Sequence, residues 1–148
     1  MKDALFQLLL ADNDIDDCNF FREALEELPV PSTLQTVHDG VELMQLLIST
    51  TSDLPDALFL DLNMPLKTGF ECLLEIKNHN KLKMLPVIIF STSFNEDIAY
   101  QLYDNGAHHY IRKPGDFVKL KKVIHAAIQL TTVKHPVKPI KTEFVIQI

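Results

Sequence analysis

Five short apolar segments alternate along the chain with five segments of helical period, and this alternation limits the folds that the chain can adopt. The first apolar segment, Phe6 to Ala11, is nearly continuous, as is typical of a strand buried on both faces. Behind it, Cys18, Phe21 and Leu25 recur at the spacing of a helix with one buried face. Strict alternation of strands and helices predicts a parallel sheet with helices on both faces, joined by right-handed crossovers.

The other strands and the helix starts are marked by apolar runs and by capping residues. Strands are predicted at Thr33 to Val37, Ala57 to Leu60, Val87 to Phe90 and Tyr110 to Ile111. Capping boxes, in which Asp, Thr or Ser is followed three residues later by Glu, predict helix starts at Asp39, Thr68 and Ser93. Asp116 is expected to cap the last helix.

Composition and charge exclude several classes of protein. The 148 residues, of which 47% are hydrophobic and 23% are charged, suit one globular domain. A formal net charge of -6 argues against broad electrostatic binding to nucleic acid. The longest apolar runs are too short to span a bilayer, no secretory signal is visible, and two cysteines are too few for a disulfide framework. We therefore expect a cytoplasmic protein that binds neither nucleic acid nor membrane.

Polar side chains that suit a metal and a phosphoryl group follow four of the predicted strands. In a parallel α/β sheet the ligand site lies at the carboxyl ends of the strands. In chain order, these ends carry Asp12, then Asp61 with Asn63 close behind, then Ser91 and Lys113. Two carboxylates, a hydroxyl and an ammonium group are therefore expected to converge on one edge of the sheet.

These groups have separate chemical uses. Mg²⁺ prefers oxygen ligands and usually keeps several waters, so Asp12, Asp61 and a backbone carbonyl near Asn63 could supply the protein ligands. The Asp61 carboxylate could form an acyl phosphate, while Lys113 and the Ser91 hydroxyl bind the phosphoryl oxygens. Because no residue is placed as a strong general base, we expect a domain that holds a phosphoryl group, not an enzyme, with slow self-dephosphorylation at most.

Four motifs stand in order at these strand ends, and together they resemble the response-regulator receiver domains of two-component signalling. They are Leu-Leu-Leu-Ala-Asp-Asn-Asp at Leu8 to Asp14, Leu-Asp-Leu-Asn-Met-Pro at Leu60 to Pro65, Phe-Ser-Thr-Ser at Phe90 to Ser93 and Tyr-Ile-Arg-Lys-Pro at Tyr110 to Pro114. The resemblance implies a receiver domain over residues 1–130 and a C-terminal tail over residues 131–148. It also implies a doubly wound, flavodoxin-like (βα)5 fold with a five-stranded parallel sheet in the order 2-1-3-4-5.

The resemblance assigns a phosphoacceptor, a metal and a donor. Asp61 would receive the phosphoryl group from a sensor histidine kinase or a phosphotransfer protein. Asp12, Asp61 and the backbone carbonyl of Asn63 would bind Mg²⁺. The segments Ser91 to Ile98 and Tyr103 to Asp116 look most like small stand-alone receivers that partner bacteriophytochrome-type histidine kinases.

The resemblance also assigns the residues that respond to phosphorylation. Lys113 would bind the phosphoryl group, Ser91 would be the switch hydroxyl, and Tyr110 would swing inward on activation. The peptide bond between Lys113 and Pro114 would be cis. The output would be protein–protein contact through the face formed by the fourth helix, the fifth strand and the fifth helix.

One position departs from the family pattern. The residue after Asp12 is usually a second acid that touches the metal, and here it is Asn13. An amide oxygen can ligate a cation but carries no formal charge, so weaker Mg²⁺ binding is expected, which Asp14 could compensate through a water. The alternative function is therefore a receiver-like interaction module that does not depend on phosphorylation.

The acidic run after the first strand also matches ligand positions of a calcium-binding EF-hand loop, at Asp12, Asp14, Asp16 and Glu23. Asp17 stands where that loop requires glycine, and the preceding segment has the pattern of a strand, so the calcium site is disfavoured. Asp16 and Asp17 are assigned instead to a favourable interaction with the dipole of the first helix.

The tail is too short for a DNA-binding or enzymatic output domain. Pro136 and Pro139 rule out a continuous helix, and Phe144 to Ile148 has the pattern of a strand. An isolated strand is marginal in water, so this one would pair with the sheet edge or with a partner subunit, which would give a homodimer. A disordered tail is the alternative that the sequence leaves open.

Overall fold

The computed structural model describes residues 5–51, 53–131 and 138–147, and in these ranges five strands alternate with five α-helices. The strands are β1 (Phe6–Ala11), β2 (Ser32–Val37), β3 (Ala57–Leu60), β4 (Val87–Ser91) and β5 (His109–Arg112). The helices are α1 (Ile15–Glu26), α2 (Gly40–Ser49), α3 (Gly69–Lys77), α4 (Glu96–Asp104) and α5 (Phe117–Thr131), and a short 3-10 helix covers Lys141–Glu143. The five strands that the apolar pattern predicted between Phe6 and Ile111 are all present.

The five strands are parallel and lie in the order β2-β1-β3-β4-β5, which confirms the predicted topology. The register pairs Ala11 with Leu60, so the carboxyl ends of β1 and β3 lie level with each other. Every residue of β3 is buried, because helices cover both faces of the sheet. The strand order reverses between β1 and β3, which opens the crevice where ligands bind in folds of this kind.

The helices form two groups, one on each face of the sheet. Beside α1 and α5, Phe21 packs edge-on against Phe59 and Phe90, with ring centroids 5.0 and 5.5 Å apart. The other core lies beneath α2, α3 and α4. Side chains alternate along β1, so that Leu10 belongs to the first core and Leu9 to the second.

The helix starts follow the capping signals at some positions and not at others. Thr68 and Glu71 form the predicted capping box at the start of α3. The predicted box at Ser93 is wrong, because the side chain of Asn95 caps α4. Ser93 is drawn toward the strand end instead, and its hydroxyl lies 3.3 Å from that of Ser91.

The described part of the tail packs on β5. The Tyr110 N–H donates to the Phe144 carbonyl at 3.0 Å, and the Ile146 N–H donates to the Tyr110 carbonyl at 2.9 Å, which makes a parallel bridge at Val145. Phe144 is 1% exposed, and its ring centroid lies 5.3 Å from that of Tyr103. These tail residues therefore lie against the edge of β5 through one isolated bridge, and the described part of the predicted tail strand does not form a sixth strand of the sheet. Residues 132–137 and the last residue of the predicted tail strand lie outside the described ranges.

Two further expectations concern the backbone. Within the described ranges, no helix is long and apolar enough to cross a membrane. The peptide bond between Lys113 and Pro114 is trans, so the cis bond that the resemblance implied is wrong. Backbone pairing continues as far as Lys113, whose N–H donates to the Ser91 carbonyl at 2.8 Å.

Candidate functional site

Three of the predicted site residues meet at the carboxyl edge of the sheet. Because Ala11 is paired with Leu60, the residues that follow them, Asp12 and Asp61, come side by side. Lys113 reaches the same place from the end of β5, and its Nζ lies 2.6 Å from Asp12 Oδ2 and 3.5 Å from Asp61 Oδ2. The side chains of Asp12, Asp61 and Lys113 are 0%, 7% and 8% exposed, so they form one buried, charged cluster.

Asp61 is a carboxylate in surroundings that oppose its charge. Burial raises the pKa of Asp61 to about 6, the Lys113 ammonium acts against that rise, and the charge of Asp12 adds to it. The Asn63 backbone N–H donates to Asp61 Oδ1 at 3.3 Å. Two buried carboxylates thus share one ammonium at this edge, and the excess negative charge favours a bound cation.

Gly69 allows the next helix to pack directly behind Asp61. It is the first residue of α3, and its N–H donates to the Leu62 carbonyl at 3.0 Å. A Cβ at this position would overlap the Asp61 carbonyl oxygen and lie 2.8 Å from Leu62 Cα. Only glycine permits this approach, so Gly69 fixes the loop that carries the backbone after Asp61.

Lys113 is held mainly by two carboxylates, and one of them comes from a helix. Its Nζ lies 2.8 Å from Asp17 Oδ2, in addition to the contact with Asp12. Burial by itself would lower the pKa of Lys113, but the hydrogen bonds to Asp12 and Asp17 raise the pKa above its ordinary value. The ammonium also lies 5.5 Å from the ring centroid of Phe90. Lys113 is therefore a fixed positive charge in the site.

Asp17 belongs to the site, although its sequence position suggested only an interaction with the helix dipole. It is the third residue of α1, and its N–H donates at 3.1 Å to the side chain of Asp14, which caps the helix. Phe21, four residues later, is fully buried, so Asp17 lies one turn nearer the strand ends on the same inward face. That spacing is the sequence signal that could have identified Asp17.

The two asparagines occupy different positions. Asn13 is exposed at the rim, whereas the neighbouring Asp12 carboxylate is buried and accepts a hydrogen bond from the Asp14 N–H at 2.9 Å. The backbone of Asn63 is tied to the cluster through its hydrogen bond to Asp61. The buried cluster thus includes Asp12, Asp61 and the Asn63 backbone, and Asn13 lies at its edge.

The predicted switch residues lie together at the end of β4. Ser91 is fully buried, and its hydroxyl faces that of Ser93. The Tyr110 side chain is turned inward, with 1% exposed, and its hydroxyl donates to the Ser93 carbonyl. Burial raises the pKa of Tyr110, and the Phe94 ring packs edge-on against it at 5.2 Å between centroids. Tyr110 therefore occupies the inward position that the resemblance associates with activation.

The donor set fits a divalent cation that keeps most of its waters. Asp12 and Asp61 offer buried carboxylate oxygens. Among the residues that the structure describes, no group of three or more His, Cys, Asp or Glu side chains is placed to hold a metal. Mg²⁺ is commonly bound through only one or two carboxylates, so these two, with a backbone carbonyl, suit Mg²⁺ better than a metal that needs four side chains.

Comparison with known proteins decides the family. The family model described as the response regulator receiver domain matches residues 8–125. This chain is a receiver domain. Response regulator Rcp1 of Synechocystis sp. is 31% identical to it over 121 residues, which are 79% of this chain and 82% of Rcp1.

Solved receiver domains share the fold over most of the chain. The crystal structure of RcpA, described as a phosphorylated cyanobacterial phytochrome response regulator, is 34% identical with a TM-score of 0.81, and the match covers 90% of this chain and 100% of RcpA. The Mn²⁺-bound form of Rcp1 is 31% identical with a TM-score of 0.77, over 88% of this chain and 99% of Rcp1. The receiver domain is therefore similar in extent, as well as in fold, to these response regulators.

Proposed function

We propose that this receiver domain is a phosphorylation switch in which Asp61 accepts a phosphoryl group from a histidine kinase. The observation that carries the proposal is the buried Asp61 carboxylate with Lys113 Nζ at 3.5 Å and Asp12 beside it. A carboxylate nucleophile, a fixed ammonium and a second metal-binding carboxylate are the groups that phosphoryl transfer to aspartate requires. The similar RcpA was solved in a phosphorylated form, which supports the same chemistry here.

The transfer would be a displacement at phosphorus. One Asp61 carboxylate oxygen forms the new bond to phosphorus, and the bond from phosphorus to the donor breaks. The leaving group keeps the electron pair, and it is an imidazole when the donor is phosphohistidine or acetate when the donor is acetyl phosphate. Lys113 and the Ser91 hydroxyl are the groups that would donate hydrogen bonds to the phosphoryl oxygens.

Mg²⁺ is the proposed metal. The carboxylates of Asp12 and Asp61 and the backbone carbonyl of Asn63 would hold it, and when bound it would neutralise charge on the phosphoryl oxygens. The related Rcp1 structure contains Mn²⁺, which supports a divalent cation that prefers oxygen ligands. We expect Asn13 to weaken the binding, because an amide replaces a charged group at the rim.

The proposed donor is a sensor histidine kinase or a phosphotransfer protein. Similarity to the cyanobacterial phytochrome response regulator RcpA favours a kinase of the phytochrome type. We place the domain in the cytoplasm with such a kinase. Apart from slow self-dephosphorylation, no turnover of a substrate is proposed.

The proposed output surface is the face formed by α4, β5 and α5, and the tail forms part of it. Phe144 and Val145 lie directly on Tyr110 of β5. Phosphorylation would draw the Ser91 hydroxyl toward Asp61 and change the packing of Tyr110, which shifts an existing equilibrium of this face. Because Phe144 contacts Tyr110, the tail would take part in that change.

Labelling with a small phosphodonor tests the proposal. The chain is incubated with acetyl phosphate and Mg²⁺ and its intact mass is measured. We expect an acid-stable, hydroxylamine-labile adduct in the wild type and in Asp104→Asn, an exposed aspartate of α4, but none in Asp61→Asn. Absence of the adduct from the wild type with both acetyl phosphate and phosphoramidate would leave the phosphorylation-independent interaction module as the function.

A further inference from the structure

The arrangement of three carboxylates around Lys113 is uneven. Its Nζ lies 2.6 Å from Asp12 and 2.8 Å from Asp17, but 3.5 Å from Asp61. An ammonium group has three N–H donors, and two of them are directed to the two closer carboxylates. The proposed nucleophile, Asp61, is thus the acid that Lys113 binds least closely.

Asp17 is well placed to hold Lys113 in this arrangement. The first turn of α1 is fixed by the Asp14 cap, and the next turn is fixed by Phe21, which is buried against Phe59. The Asp17 side chain is 34% exposed, so its carboxylate keeps contact with solvent, whereas the Asp12 and Asp61 side chains are buried. A fixed, charged carboxylate at this position attracts the ammonium toward α1.

We propose that Asp17 is a positioning residue, which holds the Lys113 ammonium off Asp61 and so leaves the Asp61 carboxylate open to a divalent cation. The inference deepens the proposed function and rests on it for the role of Asp61. Without the Asp17 carboxylate, one N–H of Lys113 loses its partner, and Asp61 is the nearest acid that can take it. A direct pair between Lys113 and Asp61 would then compete with the cation for the same oxygens.

The first experiment measures Mg²⁺ affinity by following backbone amide chemical shifts during a titration at constant ionic strength. We expect Asp17→Asn to raise the Kd for Mg²⁺ by about three- to tenfold, since a charge-assisted contact is lost and a competing one forms. The matched control is Asp16→Asn, which removes the same charge from the same turn at an exposed position. That control should change the Kd by about twofold or less.

Two further variants separate positioning from general charge or misfolding. Asp17→Glu keeps a carboxylate near Lys113 and should restore most of the affinity. In a Lys113→Ala background, Asp17→Asn should have no added effect beyond that of Asp16→Asn, because the group that Asp17 holds is gone. Acetyl phosphate labelling of Asp17→Asn should be slow at limiting Mg²⁺ and return to the wild-type rate when Mg²⁺ is saturating.

The outcomes decide whether Asp17 affects Mg²⁺ binding through its contact with Lys113 or only through its negative charge. Equal shifts in Asp17→Asn and Asp16→Asn overturn the inference, as does an Asp17→Asn effect that persists without Lys113. Absence of Mg²⁺ binding in the wild type also overturns it. If Mg²⁺ binding follows the expected pattern but Asp61 is never labelled, the positioning role stands and the phosphoacceptor role fails.

Discussion

The N–H of Tyr110 donates a hydrogen bond to the carbonyl of Phe144 at 3.0 Å, so a tail residue is bonded directly to the backbone of the proposed switch tyrosine. The two rings also pack together, with centroids 6.4 Å apart. On the neighbouring residue, His109 Nδ1 lies 3.2 Å from the same carbonyl. The tail and β5 therefore form one structural unit, and a change in either is expected to reach the other.

Phe144→Ala is expected to release the tail from β5. The substitution removes a side chain that is 1% exposed, and truncation of a buried phenylalanine to alanine costs on the order of 3–5 kcal/mol. Hydrogen exchange should show faster exchange of the Tyr110 and Ile146 amides in this variant. The control is Ile140→Ala, a tail residue that is 63% exposed and should leave both amides protected. Unchanged exchange in Phe144→Ala would contradict the docked tail.

Asp61→Asn is expected to stabilise the fold at neutral pH. The folded-state pKa of Asp61, about 6, lies above the ordinary value of 3.8, so ionisation costs stability as the pH rises from about 4 to about 6. Asparagine has no charge to bury, and the gain at pH 7.5 should be on the order of 1–3 kcal/mol. Urea unfolding should show this gain at pH 7.5 and little of it near pH 4.

The exposed Asp104→Asn is the control for Asp61→Asn, because it removes the same charge without removing a buried one. A gain of equal size in both variants would show that net charge, not burial of Asp61, is the cause. A loss of stability in Asp61→Asn at pH 7.5 would contradict the unfavourable environment that the structure shows for this carboxylate.

His108 should make the fold less stable as the pH falls from about 6.5 to about 4. Burial, aided by the charge of Lys77, lowers the pKa of His108 to about 4, and its Nδ1 accepts a hydrogen bond from the Val87 N–H at 3.3 Å. In that pH range the unfolded chain binds a proton that the folded chain does not, which costs on the order of 1–3 kcal/mol. His108→Gln should flatten this part of the pH dependence of the free energy of unfolding.

The difference in free energy of unfolding between His108→Gln and the wild type at pH 7.5 serves as the reference. At that pH the wild-type imidazole is neutral, so the difference reports only the cost of replacing the side chain. Asp61 changes stability in the opposite direction over part of the same pH range. The test therefore compares how steeply the free energy of unfolding changes with pH in the wild type and in His108→Gln. An identical slope in wild type and variant would contradict a partly buried His108 that is neutral in the folded state.

Asn13→Asp is expected to strengthen Mg²⁺ binding. A carboxylate at this exposed position adds a negative charge next to Asp12, and we expect the Kd to fall by about two- to tenfold. Amide chemical shifts followed during a Mg²⁺ titration give the Kd. Asn19→Asp adds the same charge at an exposed position further along α1 and should have a smaller effect. Equal effects of the two variants would show that Asn13 is not a special position.

The sheet and the strand-end residues were predictable because they depend on short-range patterns. Apolar runs identify buried strands, and parallel strands place their following residues at one edge, which brings Asp12 and Asp61 together. The contact between Asp17 and Lys113 joins residues 96 positions apart and requires a helix and a loop to approach in space. No local pattern specifies that approach.

The start of α4 shows how tertiary contacts override a local signal. Ser93 and Asn95 are both good capping residues, and sequence alone does not choose between them. The hydroxyl of Ser93 faces Ser91, and its carbonyl accepts the hydrogen bond from Tyr110. These contacts hold Ser93 in the site, and the helix begins after Asn95.

The tail that lies on β5 places part of the proposed output face on a segment of the chain distant in sequence from the proposed acceptor site. Asp12, Asp61 and Lys113 directly follow β1, β3 and β5, whereas Phe144 and Val145 belong to a segment that supplies none of these three side chains. In the proposed function, substitutions in that segment act on the output face and reach the acceptor site only through Tyr110, whose N–H bonds the Phe144 carbonyl and whose hydroxyl bonds the Ser93 carbonyl.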